Sequence, residues 1–280
     1  SENEHPIVAQ IFGGKPENIK IASALCRALG FDGIDINMGC PDKSVEKQCA
    51  GAAMMKDPAL TREIIRAAKE GGGGLPISVK TRIGYNKNEL ETWIPVLLSE
   101  GLAALAIHLR TRKEMSDVPA HWDLMKQIVQ IRDEMNVEIL ILGNGDVLSL
   151  EEAEQKIKET GCDGVMLGRA IFGNPWLFNS ASVNFLPLRP SLGAPGSKWN
   201  PREQKIHTSF VSVKEKLKVM LEHTKLFEKM LGKHKNFAIM KKHFKAYVSG
   251  WDGAKELRKK LMETENASQV EVIVNGFVEK

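Results

Sequence analysis

The 280 residues are 42% hydrophobic and 26% charged with a net charge of +4, the balance of an ordinary folded chain with room for one large domain and a smaller one. No apolar run approaches the roughly 20 residues of a membrane helix, and no cationic-then-apolar leader opens the chain. The four cysteines, Cys26, Cys40, Cys49 and Cys162, include no C-x-x-C pair, which argues against a metal site or a disulfide framework and for a reducing cytoplasm.

Strands and helices alternate over about the first 180 residues. Alternation predicts a strand over 7–12, and Pro16 opens a helix whose apolar positions are Ile19, Ala22, Cys26 and Leu29. A strand over 33–38 then breaks at Gly39 and Pro41 into a long loop holding Cys40 and Cys49. A helix carrying Leu60, Ile64, Ile65 and Ala68 ends in the run Gly71–Gly74. Further strands are predicted over 76–82, 103–108, 137–142 and 164–167. The helices between them start near Leu90, with a kink expected at Pro95, near Trp122, and at the Ser149/Glu152 capping box. This βα alternation reads as an α/β fold with a parallel sheet, closed or doubly wound.

Residues 179–201 are rich in Pro, Gly and Ser and read as a connection. Helical spacing resumes beyond it, and the tail Val270–Phe277 is apolar and ambiguous. Basic charge concentrates here: residues 202–280 carry 17 Lys and Arg against 10 Asp and Glu, with four of the seven histidines. That is the expected footprint of a polyanion partner; a solvated helical face is the bland alternative.

Polar residues gather at the C-terminal ends of the strands: Gln10, Asn37, Lys80, His108 and Asn144, with Arg169 after the last. Apolar groups there would avoid the desolvation cost, so the row describes a lined pocket on the edge where parallel sheets carry chemistry. The turns Gly143-Asn144-Gly145-Asp146 and Gly168-Arg169 follow successive strands and suit a phosphate-bearing cofactor. Taken singly, Cys40 could be a buried turn cysteine and His108 a core histidine.

These residues resemble the flavin-dependent tRNA dihydrouridine synthases. Asn37-Met38-Gly39-Cys40-Pro41, Ala50-Gly51-Ala52-Ala53, Val79-Lys80-Thr81-Arg82, His108-Leu109-Arg110-Thr111-Arg112, the turns at 143–147 and 164–169, and Met240-Lys241-Lys242-His243 carry the resemblance over about residues 7–265. It implies a TIM-type (β/α) barrel over 1–180, a linker over 181–201, and a small all-helical tRNA-binding domain over 202–280. It implies FMN, reduced by NADPH, and hydride transfer to the uracil 5,6 double bond of a tRNA uridine, with Cys40 as the general acid. Gln10, Lys80, His108, Asn144, Gly145, Asp146, Gly168 and Arg169 match cofactor contacts. Asn37, Arg110, Arg112, Lys241, Lys242 and His243 match the substrate side; no metal and no membrane are implied, and a monomer is expected. An oxidoreductase acting on a free pyrimidine and a non-catalytic RNA-binding remnant are the rivals.

Two departures carry expectations. Leu109 stands where the family usually has glycine, so a side chain is expected to intrude on the ligand. Only six βα units can be counted, so the barrel is expected to lack its first two units, roughly 60–80 residues at the size of an eight-unit barrel of ~250 residues.

Overall fold

Over residues 33–37, 77–82 and 104–108 alternating strand residues divide into a mainly apolar set and a polar or small set, and this division layers the first part of the molecule. The computed structural model describes residues 5–178 and 211–278; the connection expected over 181–201 lies outside them. Six parallel strands form one sheet: β1 (Val8–Ile11), β2 (Gly33–Asn37), β3 (Ile77–Arg82), β4 (Ala104–His108), β5 (Leu140–Asn144) and β6 (Gly164–Met166). Their spatial order is their chain order. The order never reverses, so the sheet is singly wound; a doubly wound sheet is excluded.

Between the strands run α1 (Pro16–Ala28), α2 (Lys43–Glu46), α3 (Pro58–Gly72), α4 (Leu90–Leu98), α5 (Met125–Glu134) and α6 (Leu150–Thr160). Ile34, Ile36, Val79, Leu105, Ile107 and Ile141 from the strands pack into one core with Ile19 of α1, Ile64 and Ile65 of α3, Ile94 of α4 and Ile128 of α5. The other strand parity is left to the site described below.

Helix α4 runs from Leu90 to Leu98 with Pro95 inside it. Three expectations change. The fifth strand begins at Leu140 rather than at residue 137. The loop after β2 is largely ordered turns, with α2 and a 3-10 turn over Gly51–Lys56. Leu109 does not intrude on the polar face: it is fully buried in the apolar core, because it is one residue out of step with His108 and its side chain falls on the other face.

Along α1, Ile21, Leu25 and Leu29 are exposed at 69%, 57% and 66%. Their spacing of four makes one apolar stripe, and Val8 and Phe12 at the β1 edge are also exposed. The opposite face of α1 packs tightly on α3 through Gly71, where an added Cβ would stand 2.1 Å from the Lys20 carbonyl oxygen. Glycine to alanine within a helix normally stabilises by about 1 kcal/mol. Gly71→Ala should instead destabilise by about 1–3 kcal/mol, as a lowered urea midpoint; a raised midpoint would refute this packing.

The chain divides into two compact units, Ser1–Gly168 and Arg169–Lys280. The second holds α7 (Val213–Leu231), α8 (Ile239–Tyr247), α9 (Ala254–Leu261) and α10 (Ala267–Val278). Leu217, Met220, Met240, Phe244, Leu257, Leu261, Val270 and Val274 form its core. The ambiguous tail is thus a helix: Ala267, Val270 and Val274 are buried while Val272 is 73% exposed. Among the described residues no helix is long and apolar enough to cross a membrane.

Candidate active site

Strand register puts Gln10 beside Asp35, Asn37 beside Lys80, Arg82 beside His108 and His108 beside Asn144. With Ser78 beside Asp35 and Ala106 beside Lys80, these residues share the face opposite the helix-covered core. The structure therefore brings together Gln10, Asn37, Lys80, His108 and Asn144.

A hydrogen-bonded relay fixes the first of them. The Asp35 carboxylate accepts from Ser78 Oγ and from Gln10 Nε2, each at 2.7 Å. Gln10 Oε1 accepts from Asn37 Nδ2 at 3.1 Å, and Asn37 Oδ1 accepts from the backbone N–H groups of Gly39 (3.1 Å) and Cys40 (2.9 Å). Asn37 thus holds the turn on which Cys40 sits, with its amide orientation set by both neighbours. Cys40 is a free, half-buried thiol. Its carbonyl accepts from Ala52 N–H at 2.9 Å, and Gly51 (φ +60°) allows that approach, since a Cβ there would lie 2.7 Å from the same oxygen.

Sequence reasoning did not single out Asp35, Ser78 or Arg82. Arg82 is buried and donates to the carbonyl oxygens of Gly39 (2.8 Å), Thr111 (3.0 Å) and Met115 (3.0 Å), tying the Cys40 turn to the loop after β4. The available signal was the period of two: Asp35 and Arg82 are each two residues from a residue that was chosen.

Lys80 is a cation enclosed on this face, its amine pushed down to about 8 by burial and by Arg82, against the opposing pull of Asp35. Among the described residues its ammonium makes no hydrogen bond, although its side chain keeps some exposure. His108 is pushed down to about 3 by burial, Arg82, Lys80 and Arg110. It therefore stands as neutral imidazole at any ordinary pH, with Nε2 3.0 Å from Arg110 Nη1.

Other expected residues are engaged inside the protein. Arg110 is buried, ion-paired to Asp146, and donates to the Val118 carbonyl at 2.6 Å. Asp146 also accepts from Ala120 N–H at 2.9 Å. Arg112 forks onto Glu46. Asn144 Nδ2 donates to the Met166 carbonyl at 2.7 Å. The glycines around it admit side chains: a Cβ on Gly143 would stand 2.5 Å from the Trp122 ring, and one on Gly145 2.7 Å from Ala120 Cβ. Gly168 has open space where its Cβ would be; Arg169 begins a 3-10 turn in the second unit.

In the second unit, Lys242 is exposed and Lys241 half-buried on α8. The His243 ring lies 5.0 Å from His223 and 5.6 Å from Phe172, and burial holds both imidazoles below the ordinary histidine value.

The dihydrouridine synthase family profile matches residues 1–277. A probable tRNA-dihydrouridine synthase of Staphylococcus aureus (strain Mu50 / ATCC 700699) is 39% identical over 99% of this chain and 76% of its own length. The probable tRNA-dihydrouridine synthase 2 of Bacillus subtilis (strain 168) is 37% identical over 100% of this chain and 78% of its own.

Proposed function

Because the chain belongs to the dihydrouridine synthase family, a family of oxidoreductases, we propose that it reduces the 5,6 double bond of tRNA uridines with FMN and NADPH, and that Cys40 is the general acid. The observation that carries this reading is the polar strand face, with a half-buried thiol on the turn that Asn37 holds at its edge. FMN suits this face because Lys80 offers a half-buried cation with no hydrogen-bonded partner among the described residues, beside the small side chain of Ala106. Gln10, Lys80, His108 and Asn144 would hold it, and the backbone at Gly168 has room for a phosphate. Bound FMN supplies hydride to one carbon of the double bond.

The chain's own part is positioning and one proton. Cys40 gives its thiol proton to the other carbon, leaving a thiolate, which a thiol does more readily than an alcohol. Asn37, kept in register by Gln10, and neutral His108 hydrogen-bond the flipped base. The basic second unit, with exposed Lys242, contacts the RNA backbone in a salt-dependent way. We read the six strands as an arc of a (β/α) barrel, on the strength of their unreversed order.

Incubation with NADPH and tRNA lacking dihydrouridine should yield dihydrouridine on nucleoside mass spectrometry, while free uracil stays unchanged. Reduction of the free base and not of tRNA would favour the free-pyrimidine rival. RNA binding without any product would favour the non-catalytic one.

Lys80 gives a pH prediction. Its folded value is lowered, so between about 8 and 10.5 the unfolded chain holds more protons than the folded protein. The cost of burying the ammonium is fully present below about 8 and is relieved as pH rises through that window. Anion affinity runs the other way, because the charge disappears. FMN affinity should therefore fall as pH rises past about 8 in the wild type and be weak and flat in Lys80→Met; fluorescence titration reads both, and parallel profiles would exclude this role.

A further inference from the structure

Cys40 opens a long connection from β2 to α3 whose far end is anchored in the core by Ala52, Met54 and Met55, while Val45 is the buried residue of its α2 segment. Helix α2 has four residues, too few to persist without outside support. Asn37 and Arg82 fasten Gly39 and Cys40, the second and third residues beyond β2. Among the described residues, the side-chain hydrogen bonds that α2 makes outside the connection are those of Glu46. Arg112 Nε donates to Glu46 Oε1 at 3.0 Å and Arg112 Nη2 to Oε2 at 2.6 Å. The side chains are only 23% and 12% exposed.

The same guanidinium lies 5.3 Å from the ring centre of Tyr85, and Lys56, at the far end of the connection, lies 3.8 Å from it. Backbone bonds from Arg112 N–H to Gly84 O and from Lys113 N–H to Tyr85 O, both 2.9 Å, join the loop after β4 to the loop after β3. The loops after three neighbouring strands are thus tied through one planar ion pair. Burial pulls the Glu46 carboxyl upward, but the Arg112 fork, Tyr85 and Lys56 outweigh it and hold the group below its ordinary value. An Arg112 turned outward to a phosphate would leave that carboxylate stranded without its partner.

We propose that Glu46 and Arg112 are positioning residues that brace the Cys40 connection against the loops after β3 and β4, so that Arg112 is an internal strut and not a contact to RNA. The inference rests on the reading of Cys40 as the proton donor. A displaced thiol slows proton delivery while RNA still binds.

Glu46→Gln, Arg112→Met, the double variant and Arg112→Lys test it. Each of the first two should lower kcat for dihydrouridine by about 10- to 100-fold, with KM for tRNA unchanged, and the double variant should be no worse than either single one. Amide hydrogen exchange over 40–56 should quicken in both single variants and less so in Arg112→Lys, which keeps the charge. The salt dependence of tRNA binding should keep its slope in Arg112→Met. A slope lowered by about 1 in Arg112→Met alone would make Arg112 a phosphate contact, and unchanged exchange over 40–56 would mean there is no brace. Exchange and salt slope need no turnover, so a chain that made no dihydrouridine would sink the proposed function and leave the brace tested.

Discussion

Cys40→Ala should lower dihydrouridine formation by about 10²- to 10⁴-fold, the range a positioned general acid contributes, while FMN and tRNA still bind. The expectation follows from how the turn is held. Asn37 Oδ1 and Arg82 grip backbone N–H and carbonyl groups, and the Ala52 bond is to the Cys40 carbonyl, so removing the thiol leaves every restraint on the turn in place. The loss then belongs to the missing proton. Cys49 is the control: it is the exposed cysteine of the same connection. Cys49→Ala should retain most turnover. Steady-state rates and a flavin-content measurement on both variants separate the cases; equal turnover in Cys40→Ala and wild type would remove Cys40 from the chemistry.

Arg82→Met should cost about 2–4 kcal/mol of stability and most of the activity. Three carbonyl groups from two loops converge on one buried guanidinium, and methionine fills the volume without donating. Each buried carbonyl left unpaired costs about 1–3 kcal/mol, with water recovering part of it. Burial and Arg110 both pull the Arg82 proton affinity down, so part of the loss is offset by relief of that repulsion. Arg82→Lys keeps a charge but cannot span three acceptors from a planar fork, and should recover only a fraction. Chemical denaturation with nucleoside analysis checks both. A Met variant as stable as wild type would mean that these loops are held by other contacts.

Much of the fold was legible because strands with a two-residue period and helices with a 3.6-residue period leave strong marks. Helix α3 is the plainest case, with Ile64, Ile65 and Ala68 bounded by Pro58 and a glycine run. Failures have local causes. Val137 and Ile139 are as apolar as the strand that follows them, so the pattern alone starts β5 too early. Helix α2 is shorter than any periodic signal can show. In α10 the sequence Val270-Glu271-Val272-Ile273-Val274 mixes apolar and polar residues as a strand would, and only packing against the second core selects the helix. Among site residues, the polar strand ends were readable because burial makes polar groups expensive. The internal uses of Arg110 and Arg112 were not, since a buried ion pair and an RNA-facing arginine look alike until the partners Asp146 and Glu46, 36 and 66 residues away, are seen beside them.

The claim on which the account stands is that the Cys40 thiol faces the substrate on the polar strand face. Iodoacetamide labelling read by peptide mass spectrometry tests it most directly, with and without saturating tRNA that lacks dihydrouridine. The account predicts that tRNA slows labelling of Cys40 severalfold and does so far less for exposed Cys49. Equal labelling of Cys40 at saturating and at zero tRNA would contradict it.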